Sequence, residues 1–393
     1  MRILHISPIF YPEASSGIVH VIQNIGPRLV KHGLDVVLIC PNYIRDKNAI
    51  VVRSLKNYLG MKIWYHPSMF IPIGKNLNFY ITPTMYRFDI KKIDIIHLHD
   101  FRSYQNIVAY KLSRKFKKPY VIHAHGALSL PFSWYRILFD SFYGWRILKD
   151  ASKLIALSQR EVEQYKQFGV SEDRTEIIPN GVDARFFYNL PSKGLFKKEL
   201  GISNDYNLFL YIGRIHKYKG LDFLIRAYYH ALKNYNLNKT MLVIAGPDSG
   251  YLNNLKTLIR LYNLKNKVIL VGPLHGIKKV QAYRDALLTL SLDVVPAPFL
   301  LVPLESLASE TPVVVTRNIY LSQKIEEEKI GFVVDYGNIR DLAYIMKYSI
   351  ENLDLLNHMG KKGRIYVISN YNWDIIVQKL IKLYKELSQI GGN

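Results

Sequence analysis

The chain of 393 residues is long enough for two domains, and its 49% hydrophobic and 21% charged residues are those of a soluble globular protein. No apolar run reaches ~18 residues, Met1–Arg2 leads directly into a strand, and Cys40 stands alone, so a membrane span, a signal peptide and an internal disulfide are not expected. A formal charge of +22, with acid-free basic stretches at Arg102–Tyr120 and Tyr251–Arg284, favours anionic partners: phosphorylated small molecules, an acidic membrane face or nucleic acid. A generically basic surface explains the charge equally well, and the scattered aromatics form no stacking platform for nucleic acid.

In chain order, Arg2–Ser7 reads as a buried strand and Pro8–Gly17 as a loop. A helix of period 3.6 follows, carrying Val21, Ile25, Leu29 and Val30 inward and ending at His32-Gly33, and then the strand Val36–Cys40. This strand–helix–strand unit opens a doubly wound α/β domain. Residues 45–90 show no clear period. Beyond them come the strands Asp94–His99 and Tyr120–His123 with the basic helix Tyr104–Phe116 between them. The helix Phe132–Leu148, the strand Lys153–Leu157 and the helix Glu161–Phe168 complete the first half. Pro191–Asn207, polar and holding Pro, Gly and Lys, reads as an interdomain linker. The alternation restarts with the strands Leu208–Ile212, Met241–Ala245, Val268–Val271, Val313–Val315 and Phe332–Val334, and with helices at Leu221–Lys233 and Tyr251–Tyr262. Two successive α/β halves result, and a ligand is expected at the carboxyl ends of their strands, in the cleft between them.

The most informative stretch is Asp293–Thr316. Its loop carries Pro296, Pro298 and Pro303, and helical spacing begins at Leu304, Leu307 and Ala308. Pro303 suits a first helical turn, leaving the N–H groups of Leu301, Val302 and Leu304 free to meet an anion. Glu305 is better placed to accept hydrogen bonds from hydroxyls such as those of a ribose. A diphosphate bearing a sugar is the first hypothesis, and an ordinary strand–helix turn with a solvated Glu is the plain alternative. Arg214, at a strand end after Gly213, and Lys219, before a helix, supply the two cations that a departing diphosphate needs without a metal. No Asp-x-Asp pair for Mg²⁺ or Mn²⁺ and no P-loop is present. Ser15-Ser16-Gly17 closes the first strand-to-helix loop, where Gly17 permits close approach to a phosphate.

His97-Leu-His99-Asp100 and His123-Ala-His125-Gly126 each follow a strand and put paired imidazoles on one face. A zinc or iron hydrolase uses such pairs, but only Asp100 lies close by as a carboxylate ligand. The plainer reading places one His of each pair in a sheet-end hydrogen-bond network. Phe132–Leu148, aromatic with Arg136 and Arg146 interspersed and Lys149 just beyond, is either core, a membrane-surface helix or the wall of an acceptor groove.

Over nearly its whole length the chain resembles the retaining glycosyltransferases of family 4, with the two-domain GT-B fold. The resemblance rests on RILHISPIFYPE, the Ser-Gly loop, the HLH and HAHG strand ends, ALSQRE, IIPNGVD, YIGRIHKYKG, LVIAGP, VGPL, VPLESLASETPVVVT and NYNW, in that order. It implies an acceptor-side domain of residues 1–188, joined by a terminal crossing helix (371–393), and a donor domain of residues 189–370. It implies a nucleotide diphosphate sugar as donor substrate, no cofactor and no metal, and a glycan or lipid-linked acceptor. Nucleic acid is not expected as a partner, since no recognition module is visible, and the basic surface leads to the expectation of a cytoplasmic location, peripheral on the inner membrane face. Arg214 and Lys219 match the residues that bind the diphosphate, and Gly17 the second Gly of a Gly-Gly loop, with Ser16 in place of the first. His125 matches the His near the transferred sugar, and Glu305 the ribose-binding second Glu of E-x7-E. The sequence departs from the pattern at Ala297, in place of the first Glu, at Leu300 and Glu310, in place of glycines, and at Asn318-Ile319-Tyr320-Leu321, in place of a Gly-containing loop. These departures fall on the sugar side of the donor site and motivate a second reading, a non-catalytic relative that binds a nucleotide or a partner enzyme.

Overall fold

The computed structural model describes residues 1–12, 16–44, 49–50, 56–74, 77–128, 134–295 and 301–390. It divides into two compact units, Met1–Asn180 with Trp373–Asn393, and Gly181–Asn372.

The first unit opens with β1 (Arg2–Ile6), α1 (Gly17–Lys31) and β2 (Asp35–Pro41). β1 is buried along nearly its whole length, as a strand covered on both faces must be. α1 buries Val21, Ile22, Ile25 and Leu29, and Gly33, in the left-handed region, ends it. The stretch without a clear period contains the pairs β3 (Tyr43–Ile44) with β4 (Ala49–Ile50), β5 (Lys56–Tyr58) with β6 (Met61–His66), and β7 (Met69–Gly74) with β8 (Leu77–Ile81). β9 (Ile95–His99), α2 (Tyr104–Phe116) and β10 (Tyr120–His123) match the sequence reading closely. The aromatic helix is interrupted: α3 (Trp134–Phe139) and α4 (Trp145–Asp150) flank a π-helical turn at Asp140–Gly144. β11 (Lys153–Ala156), α5 (Gln159–Lys166) and β12 (Thr175–Ile177) follow. The sheet runs β12-β11-β10-β9-β1-β2-β6-β5, parallel except for β5.

The second unit holds α6 (Leu195–Glu199), β13 (Asn207–Ile212), α7 (Leu221–Tyr235), β14 (Thr240–Ala245), α8 (Leu252–Leu261), β15 (Val268–Val271), α9 (Gly276–Asp285) and β16 (Ala286–Ser291). It continues with α10 (Leu301–Ala308), β17 (Val313–Thr316), α11 (Ser322–Glu327), β18 (Gly331–Val334), α12 (Ile339–Glu351) and α13 (Leu353–Asn370). Its parallel sheet is ordered β15-β14-β13-β16-β17-β18. The last helix, α14 (Trp373–Ile390), belongs to the first unit, where Trp373, Val377, Leu380 and Tyr384 enter the core behind β1 and β9.

Two expectations are corrected. Pro191–Asn207 is not a free linker: Phe196 of α6 is fully buried, and the Asp285 carboxylate accepts from the backbone N–H groups of Gly194 and Lys197. The central strand β16 has no counterpart in the sequence reading, because it starts directly after α9 with no turn residue to mark it.

Candidate active site

In the second unit the expected residues gather at the carboxyl ends of β13 and β16. Arg214 leaves β13 exposed to solvent, anchored through its carbonyl, which accepts from the Tyr211 hydroxyl at 2.8 Å. Lys219 ends a one-turn 3₁₀ helix, Lys217–Lys219, and its ammonium pairs with the Asp293 carboxylate, which is only 5% exposed. Burial pushes the Asp293 carboxyl up, opposed by the charge of Lys219 and then of Arg214. The loop after β16 is braced from both sides. Val294 N–H donates to the Tyr218 carbonyl at 3.0 Å, and the Thr316 hydroxyl donates to the Asp293 carbonyl at 2.8 Å. Asn318, from the loop that departs from the family pattern, donates to the Val294 carbonyl at 3.0 Å. Asp293 was legible only as the start of the informative stretch; its role depends on Lys219, 74 residues earlier in the chain.

α10 begins at Leu301, with Leu301 and Val302 half-buried in its first turn and Pro303 third. Glu305 points to α9, where its Oε1 accepts from Lys279 Nζ at 2.6 Å and its Oε2 from the Tyr283 hydroxyl at 3.0 Å. Each oxygen of the expected ribose acceptor thus already has one donor, and each keeps further lone pairs. Glu310 sits at φ +60, the conformation that a glycine would take, and its carboxylate pairs with Arg284 at 2.8 Å. Arg364, at 3.8 Å from the same carboxylate, also donates to the Ala308 carbonyl, so the Glu supports the end of α10. Ala297 and Leu300, like Ser15 of the first loop, lie outside the described residues.

In the first unit Ser16 is the N-cap of α1, with its hydroxyl making no capping bond, and a side chain added at Gly17 would meet no described atom within 4 Å. Both His pairs converge at the carboxyl ends of β9 and β10, and His5 of β1 joins them. The plainer reading, one His of each pair in a network, is therefore corrected. The rings of His97 and His99 stack at 4.3 Å and those of His123 and His125 at 3.7 Å. His99 lies between His5 (Nε2 to Nδ1, 2.8 Å) and His125 (Nδ1 to Nε2, 3.0 Å), while His97 bonds the Tyr384 hydroxyl of α14. Two trios bring their ligand nitrogens within 4.8 Å of one another, His5–His97–His99 and His99–His123–His125.

Burial holds these imidazoles neutral, with His5 and His125 lowered to about 3 and His97, His99 and His123 well below their ordinary value. Between the folded values and ~6.5 the unfolded chain binds more protons, so stability is full above ~6.5 and falls as the pH drops. Each imidazole contributes about 1.4 kcal/mol per pH unit. Melting temperature is expected to fall steeply between pH 6.5 and 5 and the slope to flatten in His5→Asn; equal slopes would refute this source.

His125, at φ +52, and Gly126, at φ +81, form a strained turn held by two residues that the sequence reading did not single out for the site. Glu161, fully buried, accepts from the N–H of Gly126 and of Leu157, each at 2.7 Å. Burial raises its carboxyl to about 7 against the pull of those amides. Its signal was Ser158-x-x-Glu161, the spacing of a capping box, although here the Glu reaches past the cap. Arg102, read as part of a basic surface stretch, is buried. It grips Asp140 at 2.8 Å, donates to the Ala127 carbonyl at 2.7 Å and lies over the Phe101 ring at 4.9 Å.

Two family models cover the chain in succession, Glycosyltransferase Family 4 over residues 15–186 and Glycosyl transferases group 1 over residues 192–366. The chain belongs to glycosyltransferase family 4. The relatives of this glycosyltransferase include an uncharacterized glycosyltransferase of Methanocaldococcus jannaschii, 27% identical and covering 77% of this chain and 78% of that one. Another is the UDP-Gal:alpha-D-GlcNAc-diphosphoundecaprenol alpha-1,3-galactosyltransferase of Escherichia coli, 25% identical over 76% of each chain. Among solved structures, the Anabaena protein HepE in complex with UDP shares the fold at a TM-score of 0.76 and 18% identity, covering 98% of this chain and 100% of that one. Sucrose-phosphate synthase of Thermosynechococcus elongatus does so at 0.75 and 20%, covering 98% of each. The GT-B glycosyltransferase fold thus carries both residue sets described above.

Proposed function

We propose that this glycosyltransferase moves a sugar from a nucleoside diphosphate donor to a glycan or lipid-linked acceptor, retaining the anomeric configuration and using no metal at the diphosphate. The observation that carries this reading is the pair of cations after β13: Arg214 exposed, and Lys219 held in place by buried Asp293. As the sugar–oxygen bond breaks, negative charge grows on the diphosphate, and a preorganised Arg and Lys neutralise it without moving. The amides at the start of α10 add to that field, and the free lone pairs of Glu305 accept from the ribose hydroxyls. His125 supplies its carbonyl or imidazole to the reacting sugar carbon as positive charge develops there.

A panel of sugar nucleotides tests the reading. One donor should be turned over, at a rate that EDTA does not lower, with the product anomer matching that of the donor by NMR. An inverted product would overturn the retaining mechanism, and metal-dependent turnover the metal-free one. The occupied carboxylate of Glu305 favours the second reading, nucleotide binding without transfer. That reading predicts thermal stabilisation by nucleoside diphosphates with no preference among sugars and no turnover.

The acceptor side is proposed to work at an anionic membrane face. Trp134, Ile137, Leu138, Phe142 and Trp145 follow one another at helical spacing and are 66%, 55%, 47%, 62% and 41% exposed. Exposed Arg146, with its guanidinium 4.8 Å over the Trp145 ring, and exposed Lys149 border this apolar stripe. Apolar side chains flanked by basic ones suit an acidic lipid interface. The lipid-linked substrate named for the Escherichia coli relative supports the same reading. Among the described residues no helix is long and apolar enough to cross a membrane. Cosedimentation with anionic vesicles should weaken with salt and fall roughly tenfold in Trp134→Ala/Phe142→Ala, about 1.4 kcal/mol; binding unaffected by either change would count against the stripe.

A further inference from the structure

We propose that His99, His123 and His125 form a binding site for one divalent transition-metal ion of the zinc class, held by three imidazoles with water in the fourth place. His99 Nδ1 and His125 Nε2 lie 3.0 Å apart, and all three residues offer a nitrogen within 4.8 Å of the others. Around a tetrahedral ion with bonds of about 2.0–2.1 Å the ligand nitrogens are roughly 3.3 Å apart, so the His99–His125 pair opens by only a few tenths of an ångström. His5 sets the tautomer. With His99 donating its Nε2–H to His5 Nδ1 at 2.8 Å, the lone pair of Nδ1 faces His125. A ligand imidazole that donates its second N–H to a fixed neighbour is the arrangement metal sites use.

A second observation is independent of these distances. His123 is 3% exposed, and among the described residues neither of its ring nitrogens has a hydrogen-bond partner. A buried polar atom left so has lost its water without a replacement, and folded proteins carry few of them. An ion held by His99 and His125 gives a partner to the His123 nitrogen that lies within 4.8 Å of theirs. The outer trio is favoured over His5–His97–His99 because His125 is only half-buried, leaving an approach for the ion, whereas the inner three are closed off and His97 is engaged by Tyr384. This ion takes no part in the transfer proposed above. It occupies a nitrogen of His125, so metal binding and the sugar chemistry compete for one ring.

The full-length protein, stripped with a chelator, is titrated with Zn²⁺ against a chromophoric chelator, and Co²⁺ loading is followed by visible absorption. One equivalent should bind, and Co²⁺ should give the intense d–d bands of a tetrahedral site. His123→Asn should lose that equivalent, His97→Asn should keep it, and His5→Asn should weaken it about 10- to 100-fold as a residue behind the ligands. His125→Ala, at the half-buried position, serves if His123→Asn does not fold, and exposed His358→Ala is the surface control. The proposal is overturned if the wild type takes up no stoichiometric zinc or if His123→Asn and His125→Ala bind as the wild type does. It is equally overturned if His97→Asn alone abolishes binding. None of these readouts needs a donor or turnover, so they stand apart from the transferase reading.

Discussion

Replacing Arg214 by Ala is expected to lower kcat/KM for sugar transfer about 10²- to 10³-fold, some 2.7–4 kcal/mol, with the melting curve almost unchanged. The two parts of that expectation have separate causes. The guanidinium is exposed, so its loss removes little of the fold. In the reaction it meets the additional charge that grows as the diphosphate departs, so its loss falls mainly on the transition state. Lys219→Ala should show both effects together. It removes a similar share of activity and also leaves the Asp293 carboxylate buried without its partner, which costs about 3–5 kcal/mol. The double change Lys219→Ala/Asp293→Asn should recover most of that stability and none of the activity. Steady-state kinetics and denaturant melts on the three variants decide the matter. An Arg214→Ala enzyme within about twofold of wild type would remove Arg214 from the donor site.

Gly220→Ala is expected to be among the most damaging single-methyl changes in the second unit. Gly220 caps α7 at φ +66, and a methyl there would lie 2.0 Å from the Leu292 carbonyl oxygen. Left-handed strain and backbone overlap together cost about 2–5 kcal/mol. The clash is with backbone, so no side-chain rotation relieves it. Leu292 precedes Asp293 and Gly220 follows Lys219, so separating the two segments also pulls the ion pair apart. Loss of stability and of activity should therefore come together. A variant that melts as the wild type does would show that the two segments are not in this contact.

The alternation of elements was legible because each buried strand and each helical stripe is written in consecutive residues. α2, β10 and β15 were read with their observed bounds, since capping residues, turns or period changes mark both ends. β16 and the β5–β6 hairpin were not: the first has no turn before it, while β5 has only three residues and in β6 the exposed Trp64 between buried Ile63 and Tyr65 hides the alternation. The candidate site follows the same division. Arg214 and Lys219 were visible because residue type and strand-end position suffice to suggest an anion site, and Glu305 because it stands in the first turns of the helix that follows. The partners that fix them, Asp293, Lys279 and Tyr283, come from segments 22 to 74 residues away and leave no local mark.

The sequence by itself determined that this chain is an α/β protein of two halves and belongs to glycosyltransferase family 4, and it placed Arg214 and Lys219, the cations proposed for the diphosphate, after one strand. These follow from patterns of period 2 and 3.6 and from motifs a few residues long. Only the tertiary structure decided that Glu305 is already held by α9, that Glu310 keeps a glycine's conformation to pair with Arg284, and that five histidines from three strands and the turn after β10 stack together. In the stretch Asp293–Thr316, proposed as the nucleotide side of the site, the structure adds the ion pair of Asp293 with Lys219. Contacts across a parallel sheet join residues far apart in the chain, and burial, which gives each of them its charge state, exists only once the sheet is covered.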